Sequence, residues 1–360
     1  MRLRSLHLAA IAVVVSVFAI GSSAARAQGV AISISPTDSA AAAEAIAAGN
    51  YGAELTPPQG EVSKGSAAFM RVGQGAIQAM PADVIDPLVT IPLPSWGPVD
   101  LGYFNSLPTT AHTLTSTRQW NVYLGCPASD QTCWGNPQQF IADLNASKFI
   151  HVADQYVGSN ALKRYPLASS YFYNLPASPP VSPVNGTSTV AWLSSVVGAA
   201  AALPGNTPAS VTGPGNLYHL FFNQGIDVCI DDGDTTCYSP NNLSTFAFCG
   251  YHEYVDFNAP YGRVYFTVEP YQAVNGCFGP TSDITSATAN VLSHEIFESI
   301  TDPNLDAWFG TGNPIDNLGE EIGDQCVWLH LYPQKLNLLH QAYVTQNEYS
   351  NKYHSCVDKP

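Results

Sequence analysis

Basic residues are scarce in this chain. Thirteen Lys and Arg stand against 28 Asp and Glu. Three of the arginines (Arg2, Arg4, Arg26) fall in the first 27 residues, which contain no acid. Past that point the balance is 10 − 28 = −18 with His neutral. That sign sets aside nucleic acid and anionic membrane as partners. Long apolar runs are also missing after residue 20, so no stretch approaches the roughly 20 apolar residues of a spanning helix. There is no Gly-x-Ser-x-Gly elbow, no phosphate-cradling Gly-rich loop and no dinucleotide fingerprint. The absence of any Cys-x-x-Cys pair argues against a cysteine zinc cluster.

What is present begins with an export signal. Arg2 and Arg4 precede an apolar run over residues 8–20, and Ala25-Arg26-Ala27 supplies the small residues of a cleavage site. Residues 1–27 are therefore expected to be a signal peptide, with Gln28 as the mature N-terminus. A secreted, extracellular or periplasmic protein follows, with no membrane span after cleavage. All eight cysteines lie beyond the signal, and an even count in an exported chain predicts disulfides. Short loops favour Cys126 with Cys133 and Cys229 with Cys237, then Cys249 with Cys277 and Cys326 with Cys356.

Residues 28–115 carry an Ala-rich patch, many Pro and Gly, and no Cys. They read as an N-terminal extension, a propeptide or a strap over the main domain. Residues 116–360 read as the globular part. Strands are expected at 120–124, within 217–230 on either side of a Gln224-Gly225 turn, at 246–257 and at 263–269. Helices are expected at 137–147, 188–202 and 282–301. Residues 169–183 read as a Pro/Ser/Tyr-rich loop. Strands followed by one long helix predict an α+β, mixed α/β fold.

The chemistry concentrates on that long helix. His294 and Glu298 are four residues apart, so imidazole and carboxylate share one helix face and can hold one metal ion. Glu295 occupies the place of the general base in His-Glu-x-x-His zinc peptidases, but here the second His is Glu298. Carboxylate is an acceptable zinc ligand, and the extra negative charge also makes calcium or manganese conceivable. Pro303 should stop the helix at Asp302, about 12 Å from His294 along a straight helix. A later acidic run, Glu320, Glu321 and Asp324, offers further ligands; the closing ligand is open among these three and Asp302. Asp227, Asp231, Asp232 and Asp234 between and beside Cys229 and Cys237 read as a solvated turn, because the EF-hand spacing is missing. His252, in Cys249-Gly250-Tyr251-His252, reads either as a structural strand residue or as an oxyanion donor.

Several blocks resemble the phosphate-induced protein family, which includes plant EXORDIUM proteins and bacterial secreted proteins. They are the run from Ser293 through Pro303, Ala307-Trp308-Phe309, and Glu321-Ile322-Gly323-Asp324-Gln325-Cys326. Upstream, Asn121-Val122-Tyr123-Leu124-Gly125 and Phe246 with Cys249-Gly250-Tyr251-His252 look similar to earlier family blocks. The likeness covers roughly residues 118–330. It implies a secreted or cell-wall-associated protein with a zincin-like core. By that resemblance His294 and Glu298 are ligands, Glu295 is the base, and Glu321 or Asp324 closes the site, with Glu320 next in line. The expected activity is zinc-dependent hydrolysis of an extracellular protein or peptide. The competing expectation is a non-catalytic extracellular binding or signalling module with a structural metal.

Overall fold

The computed structural model describes residues 30–31, 100–103, 113–125, 133–173, 183–230, 233–242, 244–257, 259–274, 277, 283–304, 307–310, 321–327, 334–338 and 340–360. The proposed signal peptide, Cys126, Asp231, Asp232 and Glu320 lie outside them.

The fold is α+β. A six-stranded sheet runs in the order Val30–Ala31, Leu167–Tyr173, Arg118–Leu124, Asn216–Phe222, Gly262–Glu269, Tyr251–Phe257. All neighbours are parallel except the last pair, where Tyr251–Phe257 runs antiparallel at the edge. Central parallel strands are covered on both faces and read as near-continuous apolar runs. Asn216–Phe222 (NLYHLFF) is buried at every position. Its side chains split by the two-residue period: Tyr218, Leu220 and Phe222 join one core cluster, and Phe221 joins the other. The same split puts Trp120, Val122 and Leu124 on the first face and Tyr123 on the second.

Helix Gly186–Ala201 covers the first face. It starts where Asn185 Oδ1 accepts from Ser188 N at 3.0 Å, and it buries Val190, Leu193, Val196 and Val197 against the sheet. The second face is covered by Pro137–Asn145, a short 3₁₀ turn, and helix Ile284–Thr301. Phe140, Ile141, Leu144, Leu292, Ile296, Phe297 and Ile300 pack there with Tyr123, Phe172 and Phe221.

Most expected elements form within a few residues of their expected bounds. The exception is 169–183, expected as a loop: strand Leu167–Tyr173 occupies its first part, pairs on both sides and buries Tyr171 and Phe172. The strand expected at 246–257 begins only at Tyr251. Within 28–115, Leu101–Tyr103 pairs antiparallel with Trp308–Gly310, and Leu101 N donates to Asn351 Oδ1 at 2.9 Å.

Three disulfides join Cys229–Cys237, Cys249–Cys277 and Cys326–Cys356. Cys133 is also disulfide-bonded. No helix among the described residues is long and apolar enough to cross a membrane.

Candidate metal centre

The helix Ile284–Thr301 explains why so many charged groups sit in one place. Asp283 caps its start by accepting from Ser286 N at 2.9 Å. At its far end the Asp302 N–H still reaches Glu298 O at 2.7 Å, and Pro303 prevents another turn. Every residue from Ser286 to Thr301 is buried. The helix therefore has no solvent face, and its polar residues must find partners inside. One side meets the apolar second core. The other meets the antiparallel edge strand and a turn at 321–327.

That turn is held in three ways. Cys326 is bonded to Cys356, and Tyr349 N donates to Ile322 O at 3.0 Å. Gln346 bridges: its Nε2 donates to Gly323 O at 2.9 Å, and its N–H donates to Asn290 Oδ1 on the helix at 2.7 Å. The turn lies so close to the helix that a Cβ on Gly323 would stand 2.3 Å from His294 Nδ1. Only glycine lets the backbone lie against that ring. On the sheet side a Cβ on Gly250 would meet Glu295 Oε1 at 2.8 Å and Val291 Cγ1 at 2.7 Å.

The distant acids thus arrive at the helix. His294 Nε2 lies 2.9 Å from Glu298 Oε1 and 3.7 Å from Asp324 Oδ1. His252 comes from the edge strand. Its Nδ1 lies 3.7 Å from Glu298 Oε2 and 3.8 Å from Glu295 Oε2, and its Nε2 lies 3.8 Å from Glu321 Oε1. Two triads, His294–Glu298–Asp324 and His252–Glu298–Glu321, each place one donor atom per residue within 4.8 Å of the others. All of these side chains are 0–1% exposed. Asp302 does not join either triad. Its carbonyl oxygen is 3.3 Å from His252 Nε2, and its carboxylate accepts from Ala307 N at 2.7 Å.

Electrostatics make the cluster costly as it stands. No hydrogen bond of normal length among the described residues reaches either carboxylate oxygen of Glu295, Glu321 or Glu348, or Asp324 Oδ1; the His252 ring stands 3.8 Å from Glu295. A buried charge without a partner is expensive. Burial, then the neighbouring Glu298, pushes the carboxyls of Glu321 and Asp324 well above their usual range. Burial, then Glu298 and Asp324, does the same to Glu348. Glu298 is the opposite case: burial opposes its ionisation, but His294 and then His252 hold it down at about 2. Burial acts to lower His252, and Glu295 and Glu298 outweigh it, so the ring is held well above its usual value. His294 is likewise raised, burial being outweighed by Glu298.

These residues fit a divalent cation. Buried carboxylate oxygens without donors, converging with two imidazoles, are what a positive ion would satisfy. Imidazole nitrogen with carboxylate oxygen is a zinc-type donor set. Calcium takes oxygen ligands alone, so the two rings favour zinc over the calcium alternative.

Comparison of the chain with family models, with curated proteins and with solved structures returns no match.

His294, Glu295, Glu298, Glu321, Asp324 and His252, all singled out from sequence, are thus brought together. The aspartates at 227–234 are not part of the cluster: Asp227 is half-buried and Asp234 exposed. Two acids went unnoticed. Glu348, fully buried, comes from strand Glu348–Ser350, and nothing local in its sequence marks it. Glu269 ends the apolar strand Gly262–Glu269 and lies beside Glu295, which after burial is the chief reason its carboxyl is raised well above the usual range. An acid closing a largely buried strand, GRVYFTVE, was the available signal.

Proposed function

We propose that the protein is an exported, metal-dependent hydrolase of the zincin-like kind, related to the phosphate-induced family, acting on an extracellular protein or peptide. His294, Glu298 and Asp324 hold zinc. The observation that carries this reading is Glu295: a buried carboxylate with no hydrogen bond of normal length to either oxygen among the described residues, one position along the helix from His294. When bound, zinc supplies Lewis acidity, polarising a carbonyl and acidifying water. Glu295 is the group that accepts the proton. Burial, as the largest influence, raises its carboxyl above the usual range, the direction a general base working near neutral pH requires.

The second reading, a non-catalytic extracellular module with a structural metal, is favoured by one observation. The ligands are 0–1% exposed, and structural zinc sites are closed whereas catalytic ones keep an open position. Elemental analysis of the purified chain and of Glu295→Gln separates the two. The hydrolase reading expects bound zinc in both proteins and peptide hydrolysis in the parent alone. Zinc in both with no hydrolysis by either selects the structural role. A chain that binds no zinc sinks the hydrolase reading, and one that binds neither zinc nor calcium sinks both.

A further inference from the structure

We propose that the centre holds two divalent cations rather than one, with Glu298 as the bridging ligand and His252 and Glu321 completing the second position. The inference rests on the metal-site reading above and adds a site to it.

Glu298 decides the matter. Its two oxygens face different imidazoles: Oε1 is 2.9 Å from His294 Nε2, and Oε2 is 3.7 Å from His252 Nδ1. A carboxylate that joins two ions presents one oxygen to each, as in two-metal sites where the ions stand about 3.5–4 Å apart. The two donor triads share Glu298 and nothing else.

The state of His252 points the same way. The Asp302 carbonyl can only accept, so at 3.3 Å it takes the Nε2 proton. Nδ1 then turns towards Glu298 Oε2 and Glu295 Oε2 at 3.7 and 3.8 Å. These spacings are too long for hydrogen bonds. The spacing to Glu298 suits two ligands of one shared ion, since bonds of about 2.0–2.2 Å put tetrahedral neighbours about 3.4 Å or more apart, and Glu321 offers a donor atom within 4.8 Å of both residues. The third member, Glu321, is 1% exposed, and no donor among the described residues reaches either of its oxygens.

Charge supports two ions as well. Glu295, Glu298, Glu321 and Asp324 are buried together, and the counter-charges among their ion pairs are the two histidines. A ligating imidazole is neutral. One divalent ion would then leave these four carboxylates about two charges short of balance, and Glu269, Asp302 and Glu348, also buried there, only add to the demand for positive charge. In this arrangement His252 is a ligand and no longer available as an oxyanion donor.

The test is stoichiometry. The full-length mature chain is stripped with chelator, dialysed against zinc and analysed. About two ions per chain are expected, and about one in His252→Ala and in Glu321→Gln. About one ion in the parent, unchanged by these substitutions, overturns the second site and leaves the first. No bound zinc overturns both. Manganese loaded into the unaltered chain gives a readout that needs no variant: magnetically coupled ions in the electron paramagnetic resonance spectrum support the bridge, and an isolated single-ion signal at saturation refutes it.

Discussion

Two acidic turns lie beside disulfides in this chain, and they meet different fates. The turn around 227–234 is closed by Cys229–Cys237 and leaves Asp234 exposed in a left-handed conformation, φ 55°. The turn at 321–327 is pinned by Cys326–Cys356 and drives Glu321 and Asp324 to about 1% exposure against a helix. Number of acids does not distinguish them. The difference is that Asp234 is turned out to water, whereas Glu321 and Asp324 are turned inward, where a cation or a proton can satisfy them.

The comparison breaks most sharply at Glu298. Glu298→Gln should lose the metal, and with free zinc at 1,000 times the parent's dissociation constant this removes about 4 kcal/mol of ligand-linked stability. Asp234→Asn, which keeps a residue tolerant of the left-handed conformation, should stay within about 0.5 kcal/mol. Thermal melts with and without zinc check both; equal shifts would remove the distinction between the turns.

The crosslinks come next. Closing 30 residues rather than 8 should make replacement of Cys326 and Cys356 by Ala cost about 3.6 kcal/mol, against about 2.5 for Cys229 and Cys237. Urea unfolding measures both. The first replacement alone should also weaken zinc binding, since it frees the turn that carries Asp324. Gly323→Ala follows. The new methyl collides with the His294 ring, and overpacking of this kind costs about 1–3 kcal/mol. Zinc affinity should fall with it, and unchanged affinity would mean that the turn does not set the ring's position.

The gentlest probe is pH on metal-free protein. Glu269 and Glu348 are raised by burial, so the folded state keeps protons that the unfolded state loses above about pH 4.3. Their favourable contribution is complete below that value and disappears as pH climbs through the folded-state pKa values. Stripped protein should therefore be less stable at pH 8 than at pH 5, by at most about 1.4 kcal/mol per pH unit for each group. The zinc-loaded protein should show a flatter profile. A stripped protein that gains stability over that range would contradict the picture of protonated inner carboxylates.

Local pattern carried most of the architecture. The helix Ile284–Thr301 was legible from its apolar spacing and from Pro303, and the central strands from their uninterrupted apolar runs. Leu167–Tyr173 was not. Its sequence, LASSYFY, has no β-branched residue, and its strand character comes from pairing with neighbours far along the chain. At the site, the helix spacing gave His294, Glu295 and Glu298. The family-like acidic block gave Glu321 and Asp324 without choosing between them, and the structure shows why: they belong to different triads that share Glu298. Glu348 was invisible, because it enters the cluster only through a small C-terminal hairpin, Glu348–Ser350 with Ser355–Val357, that braces the turn from behind.

That hairpin gives the cluster a redox-sensitive footing. The donor side chains are spread from His252 to Asp324, and the turn carrying the last of them is bonded through Cys326 to Cys356. Opening that one bond would leave the turn held by hydrogen bonds from Tyr349 and Gln346. A thiol reductant is thus expected to loosen the inner carboxylates from a distance, without touching any of them.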